Sequence, residues 1–158
     1  KNTITTDVYM HEGGKITEWA QEVRGGSKKR NIVGIIGPVG AGLIFSDKVF
    51  MATDETGFPA ATRILEKLNK KTEGKIILET KNGQLHYPIK IPKLINIQLL
   101  NRDKGENLKN ATLKVLNNYN NHTIWFAVEK KQANAVRDHV KKASFDTKNL
   151  RISSFWTI

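Results

Sequence analysis

Lys48-Val49-Phe50-Met51-Ala52-Thr53-Asp54-Glu55-Thr56-Gly57-Phe58-Pro59-Ala60-Ala61-Thr62-Arg63-Ile64-Leu65 reads as a buried strand, a polar turn and an amphipathic helix in direct succession. The apolar run from Val49 to Ala52 is too short for a helix and suits a strand covered on both faces. Pro59 fits the first helical turn, where its missing N–H costs nothing. Ala60, Ala61, Ile64, Leu65 and Leu68 then form an apolar stripe at helical spacing, which ends at Asn69 and Lys70-Lys71.

The alternation continues downstream. Ile76-Ile77-Leu78 reads as a second strand and Ile95 to Leu100 as a third, joined by a loop with Pro88 and Pro92, and a helix fits Leu108 to Leu116. Thr123-Ile124-Trp125-Phe126-Ala127-Val128, β-branched and aromatic behind Asn120-Asn121, is a fourth strand. Ala133, Val136, Val140 and Ala143 lay one helical stripe against a sheet, and Leu150 to Phe155 is a fifth strand. Strands alternating with helices predict an α/β fold, a mostly parallel sheet with helices on both faces.

Upstream of Ser46-Asp47 that rhythm is missing. Strand candidates at Thr3 to Met10 and Asn31 to Ile36 flank one short helix around Ile16 to Val23. Residues 1–46 are therefore expected to be the end of a β-rich domain whose beginning is absent, and residues 47–158 an α/β domain. Gly34-Ile35-Ile36-Gly37-Pro38-Val39-Gly40-Ala41-Gly42 is glycine-rich, but it does not run G-x-G-x-x-G and opens no helix, so it reads as a connector.

Composition narrows the function classes. Hydrophobic residues at 39% and charged residues at 26% match a soluble globular protein. No apolar run approaches the ~20 residues of a membrane-spanning helix, and the first residues lack the basic and apolar regions of a secretory signal. The absence of cysteine excludes disulfides, thiolate metal sites and cysteine nucleophiles, and fits a reducing, cytoplasmic setting. The net charge of +11 is spread over pairs such as Lys28-Lys29, Lys70-Lys71, Lys130-Lys131 and Lys141-Lys142. Scattered pairs favour a solvated surface over a nucleic-acid groove, which leaves a basic anion- or nucleic-acid-binding domain as the rival reading.

In an open parallel sheet, ligands bind beyond the carboxyl ends of the strands. Asp54, Glu55 and Thr56 follow the first strand, Asn101-Arg102 the third, Glu129 the fourth, and Trp156 the last. Polar groups and an aromatic thus converge on one edge, although Asp54 and Thr56 equally suit a helix cap. Gly13-Gly14-Lys15-Ile16-Thr17 places glycines and a hydroxyl at a helix start, which serves either a phosphate or a cap. His11, His86, His122 and His139 lack metal-ligand spacing, and neither G-x-S-x-G nor G-K-[ST] occurs, so hydrolase and nucleotide-triphosphatase chemistry is disfavoured. Trp125, inside an apolar strand, reads as core, whereas Trp156 is placed to meet a planar ligand.

Asp54 to Glu66 resembles the G-D-E-T-A-L-P-A-I-A-R-I-L-E segment of the siderophore-interacting protein family, with Thr53 in place of its first glycine. Further segments are similar in order. His11 to Ala20 resembles H-G-x-x-G-P-A-S-x-W-A, Gly37-Pro38 a G-P turn, and Leu100-Asn101-Arg102 L-H-R. Trp125 to Glu129 resembles W-V-A-G-E, and Ser153 to Trp156 resembles S-G-Y-W. The resemblance implies a FAD-dependent ferric-siderophore reductase, which takes hydride from NADPH or NADH onto FAD and passes electrons singly to iron(III) in a siderophore. It implies that residues 1–46 end a FAD-binding β-barrel domain and that residues 47–158 form a ferredoxin-reductase-like NAD(P)H-binding domain. His11, Gly14 and Thr17 would then address FAD phosphates. Asp54, Glu55, Thr56, Arg102 and Glu129 would address the nicotinamide nucleotide, with Trp156 beside a planar group and no general acid or base required. A guanidinium at Arg102 can meet a 2′-phosphate and so favours NADPH, while Glu79 offers the competing hold on a ribose 2′-hydroxyl. The family's R-x-Y-T flavin motif does not occur in this sequence, so the chain alone is not expected to retain FAD.

Overall fold

Among the described residues, five strands lie side by side: β1 (Lys48–Thr53), β2 (Glu73–Thr80), β3 (Ile95–Asn101), β4 (Thr123–Glu129) and β5 (Leu150–Trp156). Their order is β3-β2-β1-β4-β5 and every pairing is parallel. The computed structural model describes Val8, Met10, residues 12–25 and residues 46–157. The expected strand Asn31 to Ile36, the glycine run Gly34 to Gly42 and His11 lie outside them, as does most of Thr3 to Met10.

The chain divides into two compact units, Lys1–Gly40 and Ala41–Ile158. In the first, α1 (Lys15–Arg24) covers the helix expected around Ile16 to Val23. The second holds the sheet together with α2 (Phe58–Leu65), α3 (Leu108–Val115) and α4 (Lys130–Lys142).

The alternation of side chains along each strand explains why the sheet has helices on both faces. Phe50, Ala52, Ile77, Phe126 and Val128 pack with Leu108 of α3 and with Ala133, Val136 and Val140 of α4. Val49, Met51, Ile76, Leu78, Trp125 and Ala127 pack on the opposite side with Phe58, Ala61, Ile64 and Leu65 of α2. Each large aliphatic or aromatic buried this way contributes about 1.5 to 3 kcal/mol. Trp125 is core, as its strand position implies.

Strand β2 begins three residues before the apolar run that announces it. A Cβ on Gly74 would lie 1.8 Å from the Val49 carbonyl oxygen, so only glycine lets β2 start this close to β1. β2 and β3 lie on one side of β1, and β4 and β5 on the other. The chain therefore reverses its direction of travel through the sheet between β1 and β4, where an open α/β sheet leaves a crevice at its carboxyl edge.

Candidate functional site

Asp54 leaves the end of β1 buried beside that crevice. The Thr56 backbone N–H donates to its Oδ1 at 3.0 Å, and the Thr56 hydroxyl donates to the same oxygen. The cap suggested by spacing is thus present, at a 3-10 turn over Glu55–Gly57 that leads into α2. Oδ2 has a distant partner, accepting from Trp156 Nε1 at 3.0 Å. Since β4 lies between β1 and β5, the Trp156 indole reaches across the carboxyl end of β4 to make this bond. Burial pushes the Asp54 carboxyl above its usual range, against the hydrogen bonds from Thr56 and Trp156.

The β1–β3 side of the edge is a closed network. Arg102 donates from Nη1 and Nη2 to the two oxygens of Glu55, at 3.0 and 2.9 Å, and from Nη1 to Glu79 Oε1 at 2.9 Å. Glu79 Oε2 accepts from the Leu108 N–H at 2.6 Å, and Glu55 Oε1 accepts from the Lys81 N–H at 2.7 Å. Burial lowers the guanidinium's affinity for its proton, but its bonds to Glu55 and Glu79 outweigh this and hold its pKa above the usual value. A guanidinium has five N–H donors. Three are used here, which leaves Nε–H and one Nη2–H as a fork on a side chain 41% exposed.

Helix starts along this edge are already occupied. The first three N–H groups of α3 go to Glu79, to Gln132 Oε1 at 3.2 Å and to Asn107 Oδ1 at 3.1 Å. Glu129 Oε2 caps α4, accepting from the N–H groups of Lys131 at 2.7 Å and Gln132 at 3.1 Å. Glu129 is only 4% exposed, and its Oε1 is sealed from solvent with no hydrogen-bond partner. Five N–H groups at the starts of α3 and α4 are thus already paired with side chains.

The structure brings Asp54, Thr56 and Trp156 together by hydrogen bonds, joins Glu55 to Arg102, and sets Glu129 opposite Trp156 in the β4–β5 register. Gly14 and Thr17 belong to the other unit. There Gly14 starts α1 without a side-chain cap and Thr17 is buried. Glu79, Asn107 and Gln132 complete the edge, and spacing did not assign them these partners. An acid directly after Ile76-Ile77-Leu78 in a buried strand was the available signal, because such a group needs a partner. Among the described residues no cluster of three or more His, Cys, Asp or Glu is arranged to hold a metal ion, and no helix is long and apolar enough to cross a membrane.

Thr53 and Gly57 compensate for each other. A Cβ on Gly57 would lie 1.9 Å from Thr53 Oγ1, the hydroxyl that donates to the Ala127 carbonyl and so ties β1 to β4. The resembled segment, G-D-E-T-A, has glycine and alanine where this chain has threonine and glycine. The space taken by one side chain is vacated by the other.

A five-stranded parallel sheet in this order, flanked by helices, is the α/β fold of ferredoxin-reductase-like proteins. The chain belongs to the siderophore-interacting protein family, whose model matches residues 46–158. It is 25% identical over 161 residues to the ferric acinetobactin reductase of Acinetobacter baumannii, covering 97% of this chain and 55% of that protein. To the NADPH-dependent ferric-chelate reductase of Escherichia coli (strain K12) it is 23% identical over 162 residues, covering 99% of this chain and 61% of the relative. The chain thus spans little more than half the length of these curated relatives. A solved siderophore-interacting protein from Acinetobacter baumannii superimposes with a TM-score of 0.72 at 22% identity, covering 93% of this chain and 61% of the other.

Proposed function

We propose that residues 47–158 bind NADPH or NADH as the nicotinamide-nucleotide domain of a cytoplasmic, FAD-dependent ferric-siderophore reductase, with residues 1–46 forming the end of its FAD-binding β-barrel domain. The observation that carries this reading is the family match, which spans the α/β unit from its first strand to its last residue. The names of the two reductase relatives support the reaction class. The edge chemistry fits a dinucleotide. The open fork of Arg102 suits a phosphate, Glu55 and Glu79 hold that guanidinium in place, and Trp156, 40% exposed, offers a flat surface.

NADPH is the preferred donor in this reading. Glu79 was the competing hold on a ribose 2′-hydroxyl, and both its oxygens are taken, by Arg102 and by the Leu108 N–H. The position of Gly14 and Thr17 at the start of α1 supports their assignment to FAD phosphates. Bound FAD would supply the hydride and one-electron chemistry, and the residues named here orient the donor nucleotide.

Calorimetric titration of the 158-residue chain tests the reading. Saturable binding of both nucleotides is expected, with NADPH tighter by about tenfold, the low end for a charged contact because Glu55 and Glu79 already offset the guanidinium. Gel filtration after incubation with FAD should leave the chain without stoichiometric flavin. Failure to bind either nicotinamide nucleotide would overturn the proposal.

A further inference from the structure

Strand β3 is an outer strand of the sheet, paired on one side with β2 and on the other with no described strand. Over Ile95–Asn101 it carries neither a charge nor a proline, the usual guards of an exposed edge, whereas β5 at the opposite edge carries Arg151. Ile97 and Leu99 are 46% and 38% exposed, although Ile95 on the same face is buried. The direction of the backbone groups follows from one bond. The Leu94 carbonyl accepts from the Gly74 N–H of β2, so strand alternation turns the N–H and C=O groups of Asn96, Gln98 and Leu100 towards β2 and those of Ile97 and Leu99 outwards. At the two ends of the strand outward groups are already taken. The Ile95 N–H donates to the Pro92 carbonyl, the Asn101 N–H to the Glu106 carboxylate, and the Asn101 carbonyl accepts from the Glu106 N–H. Between these ends, the N–H and C=O groups of Ile97 and Leu99 have no partner among the described residues.

We propose that β3 is the contact through which a second copy of this chain associates, edge to edge and antiparallel about Gln98, so that the two sheets become one. A two-fold axis at Gln98 sets Ile97 opposite the partner's Leu99 and Leu99 opposite the partner's Ile97. All of these face outwards, so each pair exchanges both N–H···O bonds, and the occupied groups of Ile95 and Asn101 end the ladder on either side. In each pair the two exposed side chains meet on one face and cover each other. Moving the axis to Ile97 or Leu99 would set an open residue against Ile95 or Asn101, whose N–H is taken. Charge agrees with the register about Gln98. Lys93, two places before the strand, comes opposite the partner's Asp103, two places after it, and both are exposed and without an ion pair among the described residues. The two symmetric pairs offset part of the repulsion between chains of net charge +11. This contact does not depend on the nucleotide reading.

Sedimentation equilibrium of the 158-residue chain, loaded at about 5 to 200 μM, tests the proposal. The weight-average mass is expected to rise with concentration towards that of two chains and no further, since the contact is closed by its two-fold axis. Ile97→Pro deletes an N–H that points out of the sheet and leaves the β2–β3 ladder whole, and it should raise the dimer dissociation constant at least about tenfold. Lys93→Asp sets like charges opposite each other at both symmetric positions and should weaken association about fivefold. Repulsion between net charges alone predicts the reverse, because this change lowers the positive charge of the chain. Adding Asp103→Lys should restore association to within about twofold of wild type. Melting curves show whether Ile97→Pro has folded, and if it has not, the charge reversal decides. A wild-type chain that stays monomeric throughout, or association that folded Ile97→Pro leaves unchanged, would overturn the proposal. A loss in Lys93→Asp that Asp103→Lys does not restore would overturn the register about Gln98.

Discussion

Arg102 at the end of β3 donates to Glu55 and Glu79, and Glu79 in turn holds the start of α3, so the charges of this cluster have partners. Glu129, at the end of β4 on the other side of β1, spends one oxygen on α4 and keeps the other buried without a donor. The two sides of one sheet edge therefore answer to different demands. A closed network among β1, β2, β3 and α3 fixes the backbone frame and the direction of the Arg102 fork. The carboxylate at β4 caps a helix with one oxygen and leaves the other without a donor, a costly condition for a buried acceptor. Strain and unsatisfied groups of this kind concentrate at functional sites.

Substitution at Glu79 should produce the largest effect. Glu79→Gln removes the charge opposite Arg102 and weakens the hold on Leu108, and a loss of about 2 to 3 kcal/mol in urea unfolding is expected. That lies at or below the lower end for a buried pair because the Arg102 side chain is 41% exposed. A loss below about 0.5 kcal/mol would show that this side is not held by its ion pairs.

Gly57, at the turn between the two sides, is next. Gly57→Ala drives a methyl group into Thr53 Oγ1 and should cost about 2 kcal/mol as overpacking. Thr53→Gly in the same chain clears that space. The double variant should be more stable than the sum of the single losses predicts, with a coupling of about 1 kcal/mol or more in a double-mutant cycle. Simple additivity would refute the compensation between Thr53 and Gly57.

On the β4 side the contrast with Glu79 is sharpest. Glu129→Ser retains the α4 cap and removes the unpartnered oxygen, so the free chain should change by no more than about 0.5 kcal/mol. A loss comparable to that of Glu79→Gln would mean that Glu129 belongs to the structural frame.

The smallest effect is a pH dependence. Asp54 is raised above its unfolded value, chiefly by burial, so the folded chain binds its proton more tightly than the unfolded chain. The associated stability is fully present below the unfolded pKa and is lost as pH rises through the folded one. Across that window, which opens near pH 3.8, wild type should lose stability relative to Asp54→Asn as pH increases. A difference that is flat or of opposite slope contradicts the assigned cause.

Much of the fold was legible because its signals are local. Within residues 47–157 each expected apolar run is a strand and each stripe at helical spacing a helix, with Pro59 in the first turn of α2 as expected. The early start of β2 was hidden because Glu73, Gly74 and Lys75 are not apolar, and the need for glycine arises only when β1 lies alongside. The strand-end rule points to Asp54, Glu55, Thr56, Arg102, Glu129 and Trp156 as residues of the carboxyl edge. It could not find the pairing of Asp54 with Trp156, 102 residues apart, or that of Glu79 with Arg102, since these depend on strand order rather than spacing. Glu79 looked like a ligand group because an acid at the end of a second strand has that use in other sheets. Here the start of α3 and a neighbouring guanidinium each bond one of its oxygens.

The central claim is that the carboxyl edge at the β1–β4 switch point receives the nicotinamide nucleotide. Amide-resolved NMR of the 158-residue chain titrated with NADPH tests it most directly. The account predicts saturable shifts at Asp54 to Gly57, at Arg102, at the N–H groups of Lys131 and Gln132 that Glu129 caps, and at the Trp156 indole N–H. Shifts confined to exposed basic residues such as Arg63 of α2 and Lys141 and Lys142 of α4, or no saturable shift at the switch point, would contradict it.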